Sequence, residues 1–348
     1  MTYKFKAPNT LIFFVTNDCN LHCKHCFYWG ELGKRKSEEL KIREIKKISN
    51  NWGAMENLLI GGGEPFVRSD LPKICEMFAE KNDVKLIHIP TNGIIKERII
   101  KYTQKILERC VSSEVIVGVS IEGNKDNNDF IRGDGSFEKS IGTLRELEKL
   151  KTQFKNFSLT VITTISSNNY RIMPDFFGYI QKNFAVDYHA YHPIRGNPLD
   201  KSLTTPTPQQ WRVLTKKLLN FDKHYFVKKG ETGLKLNLHL KGKKYAYETI
   251  AESLRGKQWP FECLAGKNII VLEPNGQTRF CELTEKIFNI RDYEFDINKA
   301  LVSEQIKEKM VETVGKSIPC KTCTHSCFMI PSLVNSPLHL IEAFTELY

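Results

Sequence analysis

The sequence contains no run of the roughly twenty apolar residues that a membrane-spanning helix needs. It also has no cleavable signal pattern, because residues 1–6 lead directly into an apolar segment. Internal repeats and low-complexity tracts are absent as well, which excludes a repeat architecture. We therefore expect a cytoplasmic globular protein that has no membrane partner.

The chain has no basic arm or stripe, although its formal charge is +11 and its pI is about 9.0. Lysine and arginine are scattered over the predicted helices, so a solvated basic surface explains them and we do not expect a nucleic-acid partner. The 348 residues are long enough for one large domain and a small one, and 41% hydrophobic and 26% charged residues are typical of a globular enzyme.

A disulfide framework is not expected, although the chain has ten cysteines. Eight of them form two short-spaced groups, which are Cys19, Cys23 and Cys26, and then Cys263, Cys281, Cys320, Cys323 and Cys327. Such clusters in a reducing compartment indicate metal ligation, whereas disulfide frameworks belong mainly to short secreted chains. Cys75 and Cys110 stand alone within helical patterns and are expected to be small buried hydrophobes.

The first cysteine group has CxxxCxxC spacing directly after an apolar strand. This spacing gathers three thiolates around one four-iron cluster and leaves the fourth iron without a protein ligand. A small chelating cofactor is the natural candidate for that open iron. The alternative is a zinc knuckle in which His22 or His25 completes a tetrahedron.

Residues 9–195 alternate between short apolar runs rich in β-formers and stretches with helical spacing. The predicted strands are Thr10–Thr16, Leu58–Gly61, Lys85–Pro90, Val115–Ile121, Ser158–Ile165 and Asp187–Pro193. The predicted helices are Ser37–Ser49, Leu71–Glu80, Lys96–Arg109, Phe137–Phe154 and Pro174–Phe184. Six strands are too few for a closed eight-stranded barrel, so we expect an α/β fold, a partial (β/α)6 TIM-like barrel that is open on one side.

In parallel βα architectures the active site lies at the carboxyl ends of the strands. The residues that follow the predicted strands are Cys19, Gly62, Asn92, Glu122, Ser166 and Arg195. The loop after the second strand contains a glycine run, 61–63, whose backbone a ligand can approach closely. Glu64 comes next and offers a carboxylate to an ammonium group. We expect this loop to hold an amino acid-like cofactor against the open iron.

Two further regions follow the barrel. Residues 196–262 are expected to be a helical bridge, with a helix at Pro208–Phe226 and then a basic segment that contains Gly230 and Gly233. In residues 263–348, two apolar segments flank Pro274-Asn275-Gly276, which is a hairpin signal. These segments are Asn268–Leu272 and Thr278–Glu282. We expect three parts, a barrel at residues 1–195, the bridge, and a small hairpin-containing domain.

The combined motifs resemble those of the radical S-adenosylmethionine (SAM) superfamily, over about the first 190 residues. The matching segments are the CxxxCxxC of Cys19–Cys26, Gly62-Gly63-Glu64-Pro65, Thr91-Asn92-Gly93, Val119–Gly123, Phe130–Gly133 and Gly135–Phe137. Each segment is weak by itself, but the combination is specific. It is similar to the members that modify peptides or small metabolites.

The resemblance implies roles for individual residues. Cys19, Cys23 and Cys26 bind the catalytic 4Fe-4S cluster, whose free iron chelates the amino and carboxylate groups of SAM. The implied cofactor-binding residues are Gly62, Gly63 and Glu64 at the methionyl amine, Asn92 in the next loop, Ser120 and Glu122 near the ribose, and Arg132 at the cofactor carboxylate. An aromatic residue after the third cysteine, Phe27 or Tyr28, flanks the adenine.

The C-terminal cysteines resemble the Twitch or SPASM extensions of the same superfamily, in which a hairpin flanked by cysteines helps enclose an auxiliary 4Fe-4S cluster. The full SPASM pattern has more cysteines, so we expect one auxiliary cluster. Its expected ligands are Cys263, Cys281, Cys320 and Cys323, with Cys327 as an alternative ligand, a hydrogen donor or a spare thiol. A structural zinc ribbon is the alternative for this group.

His192 and Arg195 end the last predicted barrel strand and are expected to face the cavity as catalytic or substrate-binding residues. An arginine at that rim suits a carboxylate or phosphate, which it binds through two parallel hydrogen bonds. The alternative for either residue is a surface role.

The resemblance implies an oxidoreductase that cleaves SAM reductively to a 5′-deoxyadenosyl radical, which abstracts a substrate hydrogen. We expect a peptide or amino acid-derived substrate, changed by oxidation, crosslinking or epimerisation, and an external one-electron donor such as flavodoxin or ferredoxin. Only 18 residues precede Cys19, so we expect no fused leader-recognition domain, and a separate leader-peptide-binding protein would serve instead. The alternatives are dehydrogenation of a sugar or other small metabolite and, in another class, an iron-sulfur electron carrier or redox sensor. An RNA-modifying enzyme is a third option, and the basic charge is the only feature that supports it.

Overall fold

The computed structural model describes residues 7–345 and is built around one nine-stranded sheet. The strands are β1 (Thr10–Thr16), β2 (Asn57–Gly62), β3 (Leu86–Thr91), β4 (Glu114–Ser120), β5 (Phe157–Ile165), β6 (Tyr188–Pro193), β7 (Ile269–Leu272), β8 (Gln277–Arg279) and β9 (Phe288–Asn289). Their order is β6-β5-β4-β3-β2-β1-β7-β8-β9, and each neighbouring pair from β6 to β7 is parallel. The α/β fold class and the six-stranded parallel part of the sheet are thus confirmed.

Helices follow the strands along the chain. They are α1 (Ile42–Trp52), α2 (Leu71–Asn82), α3 (Lys96–Arg109), α4 (Lys125–Arg132), α5 (Ser136–Leu150), α6 (Met173–Asn183), α7 (Pro208–Lys228), α8 (Gly233–Ser253), α9 (Ile297–Val302), α10 (Glu304–Thr313), α11 (Ile318–Lys321), α12 (Ser326–Val334) and α13 (Pro337–Thr345). In the described part of the chain, no helix is both long enough and apolar enough to cross a bilayer.

The core of the barrel follows from the apolar pattern of its elements. All seven residues of β1 are buried, as expected for a strand that is covered on both faces. Helix α3 buries Ile99, Thr103, Ile106 and Leu107, which lie on one face at helical spacing. β1 forms over the residues that the sequence predicts, and the other five barrel strands begin and end within one residue of prediction.

Helix α4 was not predicted, because its sequence is mostly polar and its apolar spacing is short. The helix forms with help from Asn124, whose side chain accepts a hydrogen bond from the backbone N–H of Asn127. Its last residue, Arg132, is buried beneath the cysteine loop, where the backbone N–H of Lys24 donates to the carbonyl of Ile131 at 2.9 Å. The helix therefore delivers an arginine to the cavity.

The bridge is a pair of packed helices, α7 and α8. Helix α7 begins as predicted, at Pro208, with a capping box between Thr207 and Gln210. The basic segment after Gly230 was not predicted to be a helix, but it forms α8 over 21 residues. The indole N–H of Trp211 donates to the carbonyl of Tyr247 at 3.1 Å and ties the two helices together.

The C-terminal hairpin extends the barrel sheet instead of forming a separate one. Strand β7 pairs in parallel with β1, from Thr10 opposite Ile269 to Phe13 opposite Leu272. Strand β8 then returns antiparallel after a turn in which Gly276 has a φ of 85°. The hairpin strands are shorter than the predicted segments. The division of the chain at residues 195 and 262 stays a prediction.

Candidate active site

A cavity of about 450 Å³ lies where the barrel, α8 and the C-terminal region meet. Its wall includes the cysteine loop after β1, the glycine loop after β2, residues of β6, residues of α8, and Cys327 and Ile330 of α12. The loops after the parallel strands therefore share one cavity with the C-terminal part of the chain. For the barrel loops this position is expected, because the active site of parallel βα architectures lies at the carboxyl ends of the strands.

Cys19, Cys23 and Cys26 all line this cavity. Burial raises the pKa of the Cys19 thiol to about 12 and that of the Cys26 thiol to about 11, and it also raises the pKa of Cys23. Three half-buried thiols with raised pKa values favour the thiolate form when a positively charged centre such as iron compensates their charge. The donor set thus fits a cluster that is held by three cysteines.

The glycine loop packs against the start of the cysteine loop. A Cβ atom at Gly63 would lie 2.0 Å from the carbonyl oxygen of Asp18, and one at Gly62, which has a φ of 103°, would lie 2.5 Å from that of Thr16. The amide of Gly63 donates to Thr16 O and that of Glu64 donates to Asp18 O, both at 2.8 Å. The glycines are needed for this close backbone contact, and Gly62 and Gly63 also line the cavity.

Glu64 is buried at the cavity wall and joins the ends of β2 and β3. Its carboxylate accepts hydrogen bonds from the amide of Asn92 at 2.7 Å, the hydroxyl of Thr91 at 2.9 Å and the amide of Phe66 at 3.2 Å. Burial raises its pKa to about 7, although these donors oppose the shift. The side chain thus has a packing role in addition to the predicted contact with an amine.

Arg132 lines the cavity and forms a buried ion pair with Glu122, which lies behind it and does not line the cavity. Its Nη1 lies 3.9 Å from the sulfur of Cys23, and Glu122 Oε2 accepts the backbone N–H of Thr164 at 2.7 Å. His25 Nε2 lies 3.7 Å from Glu122 Oε1. Arg132, the predicted partner of the SAM carboxylate, therefore lies directly beside the cysteine loop. Its guanidinium already pairs with Glu122.

Three more predicted residues have different positions. Asn92 and Ser120 line the cavity, and the Asn92 side-chain amide donates to Asn20 at 2.7 Å. Tyr28 does not line it: the phenol is buried and donates to Asn17 at 2.6 Å. Phe27 lies at the cavity wall instead. Of the two aromatic candidates for the adenine, Phe27 lines the cavity and Tyr28 does not, and the adenine contact itself stays a prediction.

His192 and Arg195 both line the cavity, as predicted. Burial lowers the pKa of His192 well below its usual value, so the imidazole is neutral. Arg195 donates to Glu282 at 3.1 Å, and its guanidinium lies 5.2 Å from the centre of the Phe27 ring. Glu282 also contacts His325 Nε2 at 2.8 Å. Neither Glu282 nor His325 was predicted, because each lies between cysteines in segments interpreted as cluster-binding loops.

The C-terminal cysteines separate into four and one. The thiol of Cys263 lies close enough to Cys281, Cys320 and Cys323 to interact with them electrostatically, and burial raises its pKa to about 12. Cys327 instead opens onto the cavity. Burial would raise its pKa, but the hydrogen bond and charge of His325 lower it. Within residues 7–345, no three Cys, His, Asp or Glu side chains are arranged as a site for a single metal ion, and this holds for both cysteine groups.

A polar cluster on the cavity wall was not predicted at all. It consists of Tyr188 and Tyr191 of β6, Asp222 of α7, and Lys243 and Tyr247 of α8. Four of these residues line the cavity, and Asp222 lies behind them with 1% of its surface exposed. In the sequence only Tyr188 carried a weak signal, because it lies on the same strand face as the cavity-lining His192, four residues later; Tyr191 and α8 carried none.

Comparison with known proteins agrees with this geometry. The family model described as the radical SAM superfamily matches residues 13–177. The mycofactocin maturase MftC of Mycolicibacterium smegmatis is 32% identical over 162 residues, which are 45% of this chain and 38% of the relative. The Fe-coproporphyrin III synthase of Methanosarcina barkeri is 27% identical over 194 residues, which are 55% of this chain and 45% of the relative. The chain therefore spans less than half the length of these relatives.

Solved structures show the same fold at low sequence identity. The chain of anSMEcpe with bound AdoMet has a TM-score of 0.64 and 16% identity, with 96% of both chains covered. SuiB of Streptococcus suis bound to S-adenosylmethionine has a TM-score of 0.63 and 13% identity, with 88% of this chain and 68% of that chain covered. The cofactors of the matched family are a 4Fe-4S cluster and SAM, which confirms that part of the prediction. The matched part of the chain, residues 13–177, is thus a radical SAM domain.

Proposed function

We propose that this protein is a peptide-modifying radical SAM enzyme. The observation that carries the proposal is the single cavity that joins the Cys19–Cys26 loop to Cys327 and to helix α8. When bound, the cluster and SAM supply a 5′-deoxyadenosyl radical and release methionine. The rest of the cavity, whose wall includes the apolar Ala246 and Ile250 of α8, would then hold a substrate carbon near that radical and limit the access of water.

Different residues of the cavity wall would bind the cluster and the different parts of SAM. The proposed ligands of the catalytic cluster are Cys19, Cys23 and Cys26. Gly62, Gly63 and Glu64 lie where the methionyl amine would be held, and Phe27 offers a ring for the adenine. Arg132 keeps positive charge beside the cysteine loop, where a carboxylate would bind. Ser120 and Asn92 supply polar groups between these positions.

The relatives support a peptide substrate. The mycofactocin relative is named a maturase, and fold neighbours have been solved with peptides, namely anSMEcpe with Cp18Cys peptide and SuiB with its precursor peptide SuiA. Those peptides are ligands of those two proteins. The sequence identity to this chain is 16% for anSMEcpe and 15% for SuiB. A small-metabolite substrate is the second candidate, because another relative is an Fe-coproporphyrin III synthase.

We further propose that Cys327 acts as a hydrogen-atom donor and is not a cluster ligand. Its thiol opens onto the cavity, whereas the other four C-terminal cysteines lie together. With the cofactor bound, a substrate C–H bond would be broken, and its hydrogen would leave on 5′-deoxyadenosine, so that a substrate radical remains. Cys327 then gives its hydrogen atom to the substrate radical, and one electron from a reduced flavodoxin or ferredoxin and one proton restore the thiol. The result is a change of configuration without net oxidation.

Removing two of the grouped cysteines is expected to remove one cluster. The reconstituted parent protein should hold about eight irons per chain, because each four-iron cluster contributes four. The Cys320→Ala/Cys323→Ala variant should hold about four and keep SAM binding. Iron analysis and visible absorption measure this, and Cys110→Ala serves as the control. If the parent protein held only about four irons and the double variant kept them, an auxiliary cluster would be contradicted. Zinc bound to the parent protein would support the structural zinc ribbon instead.

Loss of the Cys327 thiol is expected to stop hydrogen return and to leave hydrogen abstraction intact. When the parent enzyme turns over a peptide substrate in D₂O, it should place deuterium on the carbon that it alters. Cys327→Ser should still produce 5′-deoxyadenosine but lose at least about 90% of the deuterium, since a hydroxyl O–H bond is too strong to donate to carbon. Mass spectrometry of the peptide measures this. The neighbouring cavity residue provides the control, Ser326→Ala, and unchanged labelling in Cys327→Ser would contradict the proposal.

The proposal includes partners and a location. The four-iron clusters and free thiols suit a reducing compartment, which is why we place the enzyme in the cytoplasm. A small electron-transfer protein would deliver electrons, and a separate leader-binding protein would present a ribosomal peptide. SAM cleavage under strong reductant separates an enzyme from an electron carrier, because a carrier forms no 5′-deoxyadenosine.

A further inference from the structure

The tyrosine–lysine cluster, defined as Tyr188, Tyr191, Asp222, Lys243 and Tyr247, has no part in binding the clusters or SAM in the proposed function. Tyr188 is the first residue of β6, so this cluster begins at the amino end of a barrel strand. The cysteine loop follows the carboxyl end of a strand parallel to it. The cluster and the cysteine loop thus border different parts of one cavity.

The negative charge of Asp222 is already satisfied by the tyrosines. Tyr188 donates to its Oδ1 at 2.5 Å, Tyr191 donates to its Oδ2 at 2.8 Å, and Tyr247 also donates to Oδ2. Burial raises the pKa of all three phenols well above the usual value, so they stay protonated and remain donors. A buried carboxylate with three such donors does not need the ammonium of Lys243 as its direct partner.

Lys243 has a positive charge and faces the cavity. Its Nζ donates to the hydroxyl of Tyr188 at 2.5 Å and lies 3.9 Å from Asp222 Oδ1. The centres of the Tyr188, Tyr247 and Tyr191 rings are 4.9, 5.7 and 6.0 Å away, so ring faces contribute to holding the charge. An ammonium has three N–H donors, and this hydrogen bond goes to a neutral group.

The other cations of the cavity wall differ from Lys243 in this respect. Arg132 is hydrogen-bonded to Glu122, and Arg195 is hydrogen-bonded to Glu282. Among the lysines and arginines of the cavity wall within residues 7–345, Lys243 is the one whose nearest hydrogen-bond partner is a neutral hydroxyl. Its neighbours on α8 that face the cavity, Ala246 and Ile250, are apolar and keep water from weakening a new ion pair.

We propose that Lys243, framed by the rings of Tyr188, Tyr191 and Tyr247, binds a carboxylate of the substrate. The inference rests on the proposed function only in that the cavity holds the substrate. For a peptide, the carboxylate is either an acidic side chain or the C-terminus, and both form the same charge-assisted hydrogen bond. The contact anchors one end of the substrate near the amino end of β6, while the carbon to be attacked lies toward the cysteine loop.

Binding without turnover tests this assignment. Reconstituted enzyme with SAM and no reductant is dialysed against acetyl-Ala-Glu-Ala-amide, acetyl-Ala-Gln-Ala-amide, acetyl-Ala-Gln-Ala with a free C-terminus, and inorganic phosphate. We expect at least one carboxylate peptide to bind at least about tenfold more tightly than the neutral peptide. The first and third peptides show whether the carboxylate comes from a side chain or from the terminus.

Variants then locate the contact. Lys243→Met should abolish the preference for the carboxylate peptide, whereas Lys243→Arg and Tyr188→Phe should retain it because the positive charge remains. Lys235→Met is the matched control, since Lys235 is on the same helix with 69% of its side chain exposed and does not line the cavity. SAM cleavage by each variant is measured separately with dithionite as reductant.

Several outcomes would overturn the assignment. In the parent protein, these are equal affinities for the three peptides, or no binding of any carboxylate peptide while SAM cleavage is intact. A preference for the carboxylate peptide that persists in Lys243→Met would also contradict the assignment. So would phosphate that binds more tightly than either carboxylate peptide. The comparison among peptides in the parent protein does not depend on the folding of any variant. Failure of the parent protein to cleave SAM contradicts the proposed function instead.

Discussion

Replacement of Cys19, Cys23 or Cys26 by alanine is expected to abolish formation of 5′-deoxyadenosine. Each variant leaves two thiolates for a cluster that already has an iron without a protein ligand. Loss of a residue that only supports a metal ligand costs up to about 100-fold, so loss of a ligand itself should cost at least about 100-fold. Anaerobic assays with dithionite, SAM and quantified 5′-deoxyadenosine measure the effect.

Two controls separate chemistry from folding in this experiment. Cys110→Ala removes a buried thiol outside the cavity and should retain full SAM cleavage with at most about 1 kcal/mol lost in the free energy of unfolding. Iron content should fall by about four per chain in the Cys19, Cys23 and Cys26 variants and stay constant in Cys110→Ala. If a variant that lacks all three thiols still cleaved SAM, the radical mechanism would have to be abandoned.

Alanine at Gly63 is expected to have the second largest effect, although it adds only one methyl group. Its Cβ would lie 2.0 Å from the carbonyl oxygen of Asp18 and 3.2 Å from the amide nitrogen of Cys19. Both are backbone atoms, so no side-chain rotation relieves the clash, and the cysteine loop must move. Displacement by about 1 Å can cost about 100-fold in rate, which is the loss that we expect in SAM cleavage.

The matched control for this variant is Gly142→Ala in α5. No atom lies within 4 Å of the position of its Cβ, and its φ is not in the left-handed region. Alanine in a helix interior is favoured over glycine, so this variant should gain about 0.5–1 kcal/mol in the free energy of unfolding and keep its activity. Thermal unfolding and SAM cleavage are measured for both variants. Equal activity of Gly63→Ala and the parent would show that the loop contact is not required.

The barrel strands could be predicted because their local pattern reflects their burial. β1 is apolar at nearly every position, and it forms over the predicted residues. In the barrel and the bridge, two helices could not be predicted in the same way. α4 is short and mostly polar, and it depends on the cap at Asn124 and on burial of Arg132, neither of which is a periodic signal. α8 has glycines at Gly233 and Gly242, which weigh against a helix until tertiary packing overrides them.

The candidate site was predictable to the extent that its residues lie close together in the sequence. Spacing identified the Cys19–Cys26 loop, and strand ends identified Arg195. The choice between Phe27 and Tyr28 could not be made, because the direction of a side chain in an irregular loop depends on its packing partners, here Asn17 for the tyrosine. Contacts between distant segments, such as Lys243 with Tyr188, leave no local pattern at all.

The pairing of β7 with β1 makes the two ends of the chain mutually dependent. Without residues 263–348, β1 would become a bare edge strand with seven apolar or weakly polar residues and unpaired backbone groups. Such edges pair readily with other chains. A shortened protein that ends before the hairpin would therefore be prone to aggregate, so the catalytic part cannot be studied as an independent fragment.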